Sequence, residues 1–138
     1  MYAIMGATGN TGGVVARTLL AEGQNVRAIG RNADRLASLK AAGADIFVCD
    51  AMDTVGLAHA FSGADAVYAM IPPDMTSEDY RSEQKFTAES IAGAIGQEGV
   101  KYVVTLSSIG ADKPTGTGPI AGYIIWRSAS TVSLILTC

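Results

Sequence analysis

A chain of 138 residues with 49% hydrophobic content can close one compact core and is too short for two ordinary domains, so residues 1–138 are read as one domain. A charged fraction of 17% excludes a disordered chain, and a net charge of −3 with ten scattered Lys and Arg excludes the basic footprint of nucleic-acid binding. No apolar run approaches the roughly 20 residues of a membrane span, and the first strand begins at once without a basic leader, so a cytoplasmic protein without membrane contact is expected.

Residues 2–5 form the first apolar run and read as a strand that passes directly into Gly6-Ala7-Thr8-Gly9-Asn10-Thr11-Gly12-Gly13. A helix follows over about 11–22, with Val15, Thr18 and Leu19 spaced for one face and Gly23 just beyond as a left-handed cap. Residues 26–29 are the second strand. After Asn32, a good N-cap, a second helix buries Leu36 and Leu39 and stops at Gly43. The third strand, 45–49, ends on Cys49, read as a small buried hydrophobe. With Cys138 it makes two cysteines, too few for a disulfide framework and without metal-ligand spacing, so no metal site is expected.

A short third helix starts after Asp53 or Thr54, pairs Leu57 with Phe61 one turn apart, and stops at Gly63; His59 within it reads as a surface or satisfied residue. Residues 66–71 form the fourth strand. The fourth helix opens at Thr76-Ser77-Glu78-Asp79, a capping-box pattern, and carries Tyr80, Ala88, Ile91 and Ile95 toward Gly99. Its Gly93 and Gly96 suggest close packing on the sheet. The fifth strand is 102–106.

Apolar runs alternating with helices signal strand–helix–strand units and a parallel sheet. Right-handed crossovers wind such strands into a three-layer α/β sheet of five or six strands, ordered 3-2-1-4-5 with a sixth beyond, and place a ligand crevice at the carboxyl ends of strands one and four. The glycine turn sits at that crevice, which makes the fold Rossmann-type and the ligand a dinucleotide. Gly6 permits the sharp exit from the strand, Gly9 lets backbone approach a pyrophosphate, and Gly12 allows close helix-to-strand packing. Thr8, Asn10 and Thr11 belong to the same turn, whose helix N-terminus offers unpaired N–H groups to phosphate.

An acid after the second strand would select NAD; the sequence there is Gly30-Arg31-Asn32. Arg31 suits a 2′-phosphate through charge-assisted hydrogen bonds, with Arg35 a turn further on, so NADP(H) is favoured over NAD(H). Two readings of Asp50 are open: it accepts from the adenine amino group, or it or Asp53 caps the third helix. Pro72-Pro73 either borders the nicotinamide or punctuates the approach to a helix.

These residues, together with Asp50-Ala51-Met52-Asp53, Ile71-Pro72-Pro73 and Val103-Val104-Thr105-Leu106-Ser107-Ser108, resemble the NmrA-like branch of the atypical short-chain dehydrogenases over about residues 1–120. The branch includes NAD(P)H quinone reductases and redox-sensing regulators. The resemblance implies an NADP(H)-binding fold whose substrate site is completed by a C-terminal half of comparable length, whereas this chain stops at Cys138. Residues 121–138 depart from the charged helix such proteins carry there, so this tail is read as divergent, a truncated or altered ending. Residues 132–136 are then expected to cover the edge of the fifth strand or to pair with another chain, which favours a homo-oligomer.

Ordinary short-chain dehydrogenases use a Ser, a Tyr and a Lys four residues after the Tyr. Ser108 and Tyr123 are the weak catalytic candidates, and position 127 is Arg, so the set departs from the pattern. A quinone is reduced directly from a well-placed nicotinamide and needs little acid–base help. Three readings stay open: an NAD(P)H-dependent oxidoreductase acting on a quinone-like substrate, a non-catalytic module sensing NADP(H), and a truncated remnant that acts only as an oligomer.

Overall fold

The computed structural model describes residues 1–72, 76, 78–107 and 134–137. In chain order these form β1 (Tyr2–Ile4), α1 (Asn10–Ala21), β2 (Val26–Gly30), α2 (Ala33–Ala41), β3 (Asp45–Val48), α3 (Thr54–Phe61), β4 (Ala66–Ala69), α4 (Tyr80–Glu98), β5 (Tyr102–Ser107) and β6 (Leu134–Thr137). The strands make one parallel sheet in the order β3-β2-β1-β4-β5-β6, the doubly wound arrangement expected. Ala3 of β1 stands between Arg27 of β2 and Val67 of β4, so the order reverses on either side of β1 and leaves a crevice at its carboxyl end.

The strands are apolar almost throughout because both faces are covered. Alternate residues divide between two clusters: Ala3, Met5, Ile29 and Val67 pack with Leu57, Phe61 and Ile91 of α3 and α4, while Ile4, Val26, Ala28 and Tyr68 pack with Ala16, Leu36 and Leu39 of α1 and α2. Phe61, Leu57, Leu36 and Ile91 are fully buried, which accounts for the spacing of one apolar residue per turn that defines these helices in the sequence. At the amino end of the sheet Arg27 ties β2 to β3 and to α3. Its Nε donates to Asp45 Oδ2 at 2.7 Å, and its Nη1 donates to the carbonyls of Ala60 at 3.0 Å and Ser62 at 3.3 Å. The Met1 ammonium donates to Asp65 beside it and holds that carboxyl below its ordinary range.

Three details differ from the sequence reading. In α1 the buried face is Gly12, Gly13 and Ala16, with Val15 and Leu19 half-buried and Thr18 exposed, because glycine lets the backbone itself meet the sheet. The fourth helix begins three residues later than its capping pattern suggests: Asp79 is the N-cap and accepts from the Ser82 N–H at 3.3 Å. Gly93 faces Thr54 of α3, and Gly96 faces open space, so neither serves close packing on the sheet. Of the two alternatives for the tail, the structure shows the first: β6 pairs with β5 in the register Val104↔Leu134 to Ser107↔Thr137, so the chain covers the edge of β5 itself.

Candidate functional site

The exit from β1 is a glycine conformation. Gly6 has φ +60°, and its carbonyl accepts from the Gly9 N–H at 2.9 Å, closing the turn. A Cβ on Gly12 would lie 2.5 Å from the Gly6 carbonyl oxygen and 2.7 Å from that of Met5, so the start of α1 rests directly on the end of β1. Here the backbone has no slack, and the roles expected of Gly6 and Gly12 follow from it. A Cβ on Gly9 would meet only the Gly6 oxygen, at 3.3 Å, and Gly9 is exposed.

The four described helices begin differently. The side chains of Asn32, Asp53 and Asp79 cap α2, α3 and α4 by accepting first-turn N–H groups. In α1 the N-cap is Gly9, which has no side chain to offer, and the first turn holds no acid. The N–H groups of Asn10, Thr11 and Gly12 therefore stand without an intrahelical partner at the positive end of the helix dipole. Such a terminus accepts an anion.

A cavity of about 330 Å³ opens beside this turn, lined by Gly6, Thr8 and Gly9 on one side and by Arg31 and Arg35 on the other. Pro72 and Met70 close it from the β4 side. Both arginines are exposed, and among the described residues neither side chain carries an ion pair. A second cavity of about 200 Å³ adjoins the first, sharing Arg31, Ala51 and Pro72 as walls. Asp50 lines it, and Asp50 Oδ1 accepts from the Met52 N–H at 2.9 Å. Asp53 caps α3 through the Gly56 N–H at 2.9 Å, which resolves which of the two acids caps that helix.

Cys49 lines the larger cavity, half-buried. Burial, and then the carboxylates of Asp53 and Asp50, push its thiol up to about 11 from 9.0. It is a neutral wall rather than a nucleophile. His59 is exposed on α3, away from both cavities. Among the described residues no three His, Cys, Asp or Glu come together to hold a metal ion, and no helix is long and apolar enough to cross a membrane. Pro73, Ser108, Tyr123 and Cys138 lie outside the described residues.

The structure thus brings Gly6, Thr8, Gly9, Arg31 and Pro72 to one cavity, Asp50 to its neighbour, and Asn10, Thr11 and Gly12 to the helix start between strand and cavity. Sequence reasoning missed the far wall of the second cavity, Gln84 and Thr87 of α4. Their signal is spacing: Gln84 and Thr87 lie one and two turns past Tyr80, on the face that continues to Ile91, and are polar residues buried on an apolar stripe.

Residues 6–131 match a family model described as NAD(P)H-binding. Two similar curated proteins are NmrA-like family domain-containing oxidoreductases, one of Aspergillus japonicus, 39% identical over 119 residues, and one of Aspergillus campestris, 33% identical over 115 residues. The matches take in 82% and 79% of this chain but only 35% and 34% of those proteins, so the chain spans about a third of their length. Among solved structures, Citrobacter sp. triphenylmethane reductase complexed with NADP(H) matches with a TM-score of 0.80 at 20% identity, over 99% of this chain and 49% of that one. An NADPH-dependent quinone oxidoreductase of Escherichia coli matches with a TM-score of 0.82 at 22% identity, over 99% of this chain and 48% of that one. At those identities the structural matches speak for the fold. With nearly its whole length inside the family model and NmrA-like oxidoreductases as relatives, the chain belongs to the NAD(P)H-binding family.

Proposed function

We propose that this chain holds NADP(H) across the crevice at β1 and β4 and serves an NAD(P)H-dependent oxidoreductase, with a quinone as the candidate hydride acceptor. The observation that carries the reading is the start of α1: among the four described helices only this one lacks a side-chain cap, and it opens on a cavity edged by two arginines without ion pairs among the described residues. The pyrophosphate fits the N–H groups of Asn10, Thr11 and Gly12, with Gly9 permitting close approach. Arg31, with Arg35, suits the 2′-phosphate and gives the preference for NADP(H). Bound there, the cofactor supplies hydride; the residues of this chain bind and orient it. The oxidoreductase relatives support the redox part of the reading, and because the chain spans a third of their length, substrate and turnover belong to the proposal.

Titration of the purified protein with NADPH and NADH, followed by fluorescence or calorimetry, tests it. NADPH is expected to bind more tightly, and Arg31→Ala to remove about tenfold of that advantage, the worth of one charge-assisted hydrogen bond at an exposed site. Equal affinities in the unaltered protein remove the role given to Arg31. NADPH consumption that depends on added quinone supports the oxidoreductase, whereas tight binding without turnover moves the reading to a sensing module. Ser108 and Tyr123 stay weak catalytic candidates, to be judged by Ser108→Ala and Tyr123→Phe only if turnover is found.

A further inference from the structure

Gln84 is the described side chain with a buried polar atom left over. It is 5% exposed, on the second turn of α4; its Nε2 donates to Tyr80 Oη at 2.7 Å, and its Oε1 has no hydrogen-bond partner. Buried carbonyl oxygens are almost always paired, because losing water without a replacement costs free energy. Turning the amide over would leave an N–H stranded instead, so one polar atom is unpartnered here in either orientation. The orientation that donates to Tyr80 Oη offers an acceptor.

Gln84 is one of the residues lining the second cavity, which shares Arg31, Ala51 and Pro72 with the phosphate-side cavity. Ala51, Met52, Ile71 and Pro72 give the cavity an apolar part that suits a flat ring, and the carboxylates of Asp50 and Glu83 share the wall with Gln84. If Arg31 holds the 2′-phosphate, the base on the same ribose falls on the other side of Arg31, in this cavity. Resting on the dinucleotide reading above, we infer that Gln84 reads the base: its Oε1 accepts a hydrogen bond from the exocyclic amino group of adenine. Tyr80 then acts as the brace that fixes the amide, and Thr87 lies one turn further along the same wall. A purine bearing a carbonyl in place of that amino group would set two acceptors against each other inside a buried site, so specificity comes from repulsion as well as attraction.

The test is binding of NADPH to the 138-residue protein against its hypoxanthine analogue, in which a carbonyl replaces the amino group and N1 carries a proton, and against its purine analogue, in which hydrogen alone replaces the amino group. NADPH is expected to bind about tenfold more tightly, the worth of one buried hydrogen bond. Gln84→Leu, which removes the acceptor and keeps the bulk, should bring the ratio near one while NADPH still binds; Gln84→Glu, which keeps an acceptor, should preserve the preference for adenine. A ratio near one in the unaltered protein overturns the role of Gln84 and needs no variant to fold. A preference that survives Gln84→Leu and disappears in Asp50→Ala also overturns it and assigns the base to Asp50. Absence of any NADPH binding is a different failure, that of the dinucleotide reading itself.

Discussion

Cys49 sits at the point where β3 delivers the chain to the cavity, and its chemistry is set by its neighbours. Burial and two carboxylates raise its pKa to about 11, so the thiol keeps its proton through the neutral range. The sign of the pH effect follows. Below pH 9.0 the folded and unfolded thiols are both protonated; between 9.0 and about 11 the unfolded chain loses its proton first, and the contribution of this group to stability falls as pH rises. Alkylation of Cys49 by iodoacetamide, followed on its peptide by mass spectrometry, should be slower than that of free cysteine at pH 8 and slower again with NADPH present. A rate equal to that of free cysteine would contradict the burial, and a rate indifferent to NADPH would place the nucleotide elsewhere.

Among the elements, the β1–α1 junction is the one whose function and stability rest on the same atoms. Gly12 has the carbonyls of Met5 and Gly6 where a Cβ would go, and both belong to backbone that cannot rotate aside. Gly12→Ala should therefore cost about 1–3 kcal/mol, read as a fall of several degrees in Tm, and weaken NADPH binding by pushing the helix start off the cavity. An unchanged Tm would mean that the junction yields. This junction was legible in the sequence because its geometry is glycine geometry, and the strand order was legible because parallel strands covered on both faces write continuous apolar runs. The start of α4 was less so: several residues between 76 and 79 can cap a helix, and only the fold selects Asp79. The place of Gln84 on the buried face of α4 was legible from its spacing, but its unpaired oxygen was not. Its significance lies in what it fails to touch, and a sequence shows spacing but not an unpaired oxygen.

At the scale of the whole molecule, the edges of the sheet decide whether copies associate. The sequence reading left residues 132–136 either to cover the edge of β5 or to pair with another chain; β6 lies along β5, and among the described residues the outer row of backbone donors and acceptors on that side belongs to β6. Parallel edge strands of this kind are templates for pairing, so self-association through β6 is the proposal that remains. Light scattering at micromolar concentration should report a dimer that a proline at Ile135, Ile135→Pro, converts to monomer; a monomer in the unaltered protein removes the proposal. At the opposite end of the same strands, the Arg27 clamp on Asp45 and on the close of α3 shares no residue with either cavity. Anchorage and recognition thus occupy the two poles of one sheet, which leaves the recognising pole open to change in its side chains without loosening the layers beneath it.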